Sequence, residues 1–249
     1  MEMPPDDFDT AWKEMLQRYF GDFIAFFFPE VHREVDWARP VEFLDKELQQ
    51  AVRVAGRGRR TVDVLARVWT LTGEETWVLV HVEVQSQVDK TFAQRMYVCN
   101  SVLAARHKRG VVSFGILGDR NQNWRPSGYR YERWGCRASL EFPVVKLLDF
   151  GERPEELERS ANPFAVVVSA HLRSQNTRRH PETRLQWKLR LLRQLCREGR
   201  NLDEFADLFR FMDLVLVLPD DLEEAYEEAL RKEGLPTVEW ISHFERKAI

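Results

Sequence analysis

The feature that most constrains this chain is a change of hydrophobic period between residues 55 and 61. Upstream, apolar residues recur every three or four positions. Downstream they recur every second position through two β-branched runs, 61–70 and 76–85, separated by Thr72-Gly73-Glu74-Glu75. A period near 3.6 marks a helix with one apolar face, a period of two marks a strand, and a Gly-containing break between two such runs marks a hairpin. The preceding helix spans Val41–Ala55, with Phe43, Leu44, Leu48, Ala51 and Val52 on its apolar stripe and Gly56 and Gly58 at its end. The following helix spans Lys90–His107, with Phe92, Met96, Cys99, Val102 and Leu103 inward. Val111–Leu117 is apolar on both faces, which predicts a central strand covered on both sides.

The remaining segments fit around this centre. Asp9–Phe28 predicts one helix: Trp12, Leu16, Tyr19, Phe20, Phe23 and Phe27 recur at helical spacing, Asp9 stands at the N-cap and Pro29 stops it. Gly118–Gly128 reads as a polar loop, followed by weaker strands near Tyr129–Trp134 and Val144–Asp149. Beyond Pro154 only helices are predicted, over Pro163–Ser174, Pro181–Glu198, Leu202–Leu218, Leu222–Glu233 and Thr237–Glu245. The expected architecture is α/β: a core over residues 1–152 with a mixed β-sheet flanked by helices, and an α-helical region over 153–249 packed on or extending it.

Composition narrows the class. Hydrophobic residues make up 44% of the 249, enough for a sizeable core, and 31% are charged. The three cysteines, Cys99, Cys136 and Cys196, are scattered without a CxxC pair, which argues against a disulfide framework or a cysteine zinc site and suits a reducing compartment. The longest apolar stretch, Phe23–Phe28, falls far short of the roughly 20 residues a membrane span needs. The acidic start has no basic n-region, so a soluble, cytoplasmic protein is expected. There is no P-loop, GxGxxG, GxSxG or His-rich zinc spacing, and nucleotide-cofactor chemistry is unsupported.

The net charge of −3 hides an asymmetry. From His171 to Arg200 stand Arg173, Arg178, Arg179, Arg184, Lys188, Arg190, Arg193, Arg197 and Arg200 against only Glu182 and Glu198. Further on comes an acidic cluster, Asp220, Asp221, Glu223, Glu224, Glu227 and Glu228. One reading is a phosphate-tracking surface for DNA, with Arg190, Arg193 and Arg197 on one helix face. The other is two solvated helix faces that attract each other.

The chemistry-bearing candidates lie on the hairpin. His81, Glu83 and Gln85 alternate with Val82 and Val84, and Asp63 stands between Val62 and Val64. A turn centred between Gly73 and Glu74 pairs residues whose numbers sum to about 147, which sets Asp63 opposite the neighbourhood of Val84, beside Glu83 or Gln85. Two adjacent carboxylates repel unless a cation neutralises them, and Mg²⁺ takes oxygen ligands of this kind. The competing reading pairs Asp63 with Arg59, Arg60 or Arg67 and leaves Glu83 in solvent. Gln94 and Arg95 are further phosphate-contact candidates that also suit a surface ion pair, and His81 suits packing better than general-base work.

Asp63, then about twenty residues, then Glu83-Val84-Gln85 on a hairpin after a helix resembles the PD-(D/E)XK nuclease motif. Asp9-x-x-Trp12-Lys13, Phe43-Leu44-Asp45-Lys46-Glu47-Leu48, Val80–Gln85 and Asn162–Val168 resemble the YhgA-type transposase family of the recombination-promoting nuclease (Rpn) group. The resemblance covers most of the chain. It implies a restriction-endonuclease-like core and a Mg²⁺- or Mn²⁺-dependent DNA endonuclease. Asp63 and Glu83 would be the metal ligands, Glu47 a supporting acidic residue, and Gln85 would occupy the usual lysine position. A neutral Gln can position groups but cannot offset phosphoryl charge as Lys does. The alternative is a nuclease-fold module that binds DNA or a protein without cleaving. Homo-oligomerisation through the C-terminal helices is compatible with both.

Overall fold

The computed structural model describes the backbone of residues 5–55, 61–83 and 89–236, and the side chains of these stretches except 5–9, 54–55, 61–63 and 79–83. The chain divides into two compact units, Asp9–Glu152 and a second that runs from Arg153 onward and includes the residues up to Phe8.

In the first unit the elements run α1 (Pro5–Arg18, entering from the first residues), α2 (Phe20–Phe27), α3 (Pro29–Glu34), β1 (Glu42–Phe43), α4 (Asp45–Ala55), β2 (Thr61–Trp69), β3 (Glu75–Glu83), α5 (Phe92–His107), β4 (Val111–Leu117), β5 (Gly128–Arg133), β6 (Cys136–Glu141) and β7 (Val144–Lys146), then a 3-10 turn over Leu147–Glu152. The five-stranded sheet has the order β1-β2-β3-β4-β7. β2 pairs antiparallel with β1 and β3, whereas β3–β4 and β4–β7 are parallel. The sheet is therefore mixed and flanked by helices, as the alternation of periods predicts.

Register decides which helix covers which face. Leu65, Trp77 and Val111 pack with Leu48 and Ala51 of α4 and with Cys99 and Leu103 of α5. Positions of the same parity on β2, β3 and β4 therefore belong to the face that α4 and α5 cover. On the opposite face Phe114 stacks on Phe28, with ring centroids 4.1 Å apart, so the aromatic N-terminal helices cover that side. The expected single helix over Asp9–Phe28 is two, broken at Tyr19 (φ −119°, ψ 40°). Pro29 does not end helical structure; it opens α3 as its first residue. Proline is tolerated there because the first turn's N–H groups have no intrahelical acceptor.

β6 was not among the predicted elements. It pairs with β5 in a separate two-stranded sheet. Trp134 (φ 51°) and Gly135 (φ 79°) close the turn between them in left-handed conformation.

The second unit is helical: α6 (Pro154–Arg159), α7 (Pro163–Asn176), α8 (Pro181–Arg197), α9 (Leu202–Val215) and α10 (Asp220–Glu233). Asn162 and Asn201 cap α7 and α9, their side chains accepting from Phe164 N and Glu204 N at 2.9 Å. Gly234, at φ 64°, ends α10. The helix expected over Thr237–Glu245 lies outside the described residues.

Candidate metal and nucleic-acid site

The β2–β3 turn sets the geometry of the candidate site. Five residues, 70–74, connect Trp69 to its partner Glu75, with Gly73 at φ 89°. Thr70 Oγ1 accepts from Glu74 N at 3.0 Å, and Thr70 N donates to Glu74 O at 2.9 Å. This turn displaces the register from the expected sum of 147. Asp63 stands opposite His81, and Thr61 opposite Glu83. The pairing near Val84 was expected from a turn centred one and a half residues later, and the closed turn moves it.

The displacement has a useful consequence. Partners now sum to an even number, so Asp63 and Glu83 occupy positions of one sheet face, in a diagonal relation across the pair. Diagonal neighbours are about 7 Å apart between backbones, a span two carboxylate side chains can close around one ion at roughly 2.1 Å per oxygen. Asp63 and Glu83 are described by backbone alone, and Gln85 lies outside the described residues.

The same face carries Leu65, two positions beyond Asp63, and Leu65 packs with Leu48 of α4. Glu47 immediately precedes Leu48 in the first turn of that helix and is half-buried. The fold thus brings Glu47's helix over the face that holds Asp63 and Glu83. Of the cations in the competing reading, Arg67 is engaged elsewhere, with Glu42 and, at 4.0 Å, with Glu75. Arg59 and Arg60 lie outside the described residues.

Arg95 is buried, and its guanidinium meets Asp89 at 2.8 Å. Asp89 also accepts from Thr91 N and Oγ1 at 2.7 Å, which anchors the start of α5 just after the hairpin. Gln94 is exposed on the same helix. Arg95 is accordingly a structural ion pair.

Two charged residues escaped the sequence reading. Lys146 pairs in register with Leu117, and Leu117 with Glu83, so the three stand in one row at the C-terminal ends of parallel strands. Lys146 Nζ pairs with Asp119, and the two side chains are 1% and 0% exposed. Burial pulls the Lys146 ammonium below the ordinary lysine range, while the hydrogen bond and charge of Asp119 oppose that pull. Nearby, Arg125 grips Asp149 through two bonds of 2.8 and 2.6 Å. The run Val144-Val145-Lys146-Leu147-Leu148 has no alternation to show the face of Lys146, whose partner is 27 residues away.

Part of the Arg-rich segment is neutralised within its own unit. Arg190 meets Glu158 at 2.6 Å, and Arg193 holds Glu233 through bonds of 2.7 and 2.5 Å. Lys188 is buried against Asp213 (2.8 Å) and Glu223 (3.2 Å). Arg184 donates to the carbonyls of Val217 and Ser174, and Arg200 to Glu198 and Glu204. Carboxylates of the same unit thus hold Lys188, Arg190, Arg193 and Arg200. Arg173 lies 3.5 Å from the Trp187 ring, its acidity strengthened by burial and by the neighbouring Arg190.

Comparison with protein-family models, curated proteins and solved structures found no match to this chain. No helix among the described residues is long and apolar enough to cross a membrane.

Proposed function

We propose that the chain is a metal-dependent DNA endonuclease of the recombination-promoting, transposase-associated type, hydrolysing phosphodiester bonds with Asp63 and Glu83 as metal ligands. One observation carries this reading: the β2–β3 register places Asp63 and Glu83 on the same sheet face, under α4. The donor set is oxygen-only, which suits Mg²⁺ or Mn²⁺. Such an ion would supply a water acidic enough to attack at neutral pH and positive charge for the phosphoryl oxygens. Glu47 supports the acidic pair, and Gln85 orients the attacking water by hydrogen bonding. Asp63→Ala and Glu83→Ala are each expected to abolish Mg²⁺- or Mn²⁺-dependent nicking of supercoiled plasmid without unfolding the protein. Wild-type protein that cuts neither plasmid nor single strands with any divalent metal overturns the reading.

The neutral Gln85, where the resembled motif has lysine, favours a second reading: a nuclease-fold module that binds DNA or a protein and does not cleave. Calorimetric titration with Mn²⁺ separates the two, since that module needs no metal.

A further inference from the structure

We propose that the β5–β6 hairpin is a substrate arm, with Trp134 stacking on an unpaired base of a DNA strand and Arg130 and Arg133 meeting its phosphates. The inference rests on the nuclease reading and names how that site would hold its substrate.

Two consecutive left-handed residues, Trp134 and Gly135, join the paired Arg133 and Cys136. The first position of such a turn favours Asn, Asp or Gly, and a bulky L side chain is disfavoured there. Trp134 is also 93% exposed. Neither backbone preference nor burial accounts for an indole at this position. The Arg133 guanidinium lies 4.6 Å from its ring.

The root is fixed, in contrast. Tyr129 stacks on Tyr97 of α5 with centroids 4.8 Å apart. Leu140 packs on the cluster of Phe92, Met96, Leu117 and Phe142. Farther out the same hairpin face exposes Tyr131, at 45%, before ending at Trp134. Leu117 is the strand neighbour of Glu83, so the arm is rooted one strand from the candidate metal ligand. Six-residue strands carry the tip roughly 20 Å from that root.

The charge of the arm suits an anionic occupant. Residues 128–141 hold Arg130, Arg133 and Arg137 against Glu132 and Glu141. Arg137 takes Glu132 at 2.9 Å, and no carboxylate partners Arg130 or Arg133 among the described residues. A cleft of about 600 Å³ at the root is lined by Ser127, Arg130, Ser139 and Glu141. Exposed aromatics beside guanidinium groups that no carboxylate holds suit sequence-tolerant base stacking with phosphate contacts, the mode of single-strand binding.

The test uses the full chain in EDTA, with a fluorescein-labelled oligothymidylate and a labelled duplex of equal length, read by anisotropy. Wild type is expected to prefer the single strand. Trp134→Asn, which suits the left-handed backbone and leaves the hairpin intact, is expected to weaken that binding about tenfold or more, and Trp134→Phe to retain most of it. Unchanged binding by Trp134→Asn overturns the proposal. So does a wild type that binds neither probe, or one whose self-association is abolished by Trp134→Asn, which would assign the tip to a second copy. Cleavage is scored separately with metal. Trp134-dependent binding without cleavage upholds the arm and overturns the nuclease reading; cleavage with Trp134-independent binding does the reverse.

Discussion

Lys146 and Asp119 form an ion pair almost wholly out of water, at 1% and 0% exposure. Removing one member of such a pair leaves an uncompensated buried charge. Lys146→Met is therefore expected to destabilise the protein by about 3–5 kcal/mol, and Lys146→Met with Asp119→Leu to recover most of the loss. Urea denaturation of the two variants checks this. The pair was illegible in the sequence because its members come from a loop and a three-residue strand 27 positions apart. Asp63, Glu83 and Gln85 were easier to single out, since polar residues interrupt a valine run and period two assigns their faces. Their mutual register was not legible. It depends on how many residues the turn absorbs, and Thr70's hydrogen bonds with Glu74 decide that number.

Among the elements, β4 matches its predicted bounds, because a strand apolar on both faces has abrupt polar ends. α7 and α8 begin at the expected Pro163 and Pro181, where proline opens a helix. The helix expected over Val41–Ala55 begins only at Asp45, and Glu42–Phe43 at its expected start is the strand β1; two residues there, like the six of the missed α6, are too few to show a period. β6 was missed although Cys136, Ala138 and Leu140 alternate with Arg137, Ser139 and Glu141, because its turn uses Trp-Gly where Asn-Gly is the usual signal. The sheet face under α5 tolerates little added volume. A Cβ at Gly115 would lie 2.6 Å from Val144 Cγ1 and 3.3 Å from Phe92 Cζ. Gly115→Ala is expected to cost about 1–3 kcal/mol by overpacking, seen as a lower thermal midpoint, and Gly115→Ala with Val144→Ala to recover part of it.

At the scale of the whole molecule, part of the charge asymmetry of the sequence resolves into contacts within the helical unit. Basic α8 meets acidic α10 through Arg193–Glu233 and Lys188–Glu223. The hydrogen bond from Arg193 holds the Glu233 carboxyl below the usual glutamate range. The folded state thus keeps this charge at a pH where the unfolded chain has taken up a proton. The resulting stabilisation is complete above the ordinary carboxyl range and is lost as pH falls through the depressed value. Glu233→Gln is expected to lose less stability than wild type across that acid window, measured by urea denaturation at stepped pH. The hairpin tip has an optical consequence as well. Among the described tryptophans, Trp134 is the exposed one, whereas Trp12 is 0% and Trp77 7% exposed. Its emission should lie to the red of the others and be the fraction most readily reached by acrylamide, so the protein carries its own label at the end of the arm.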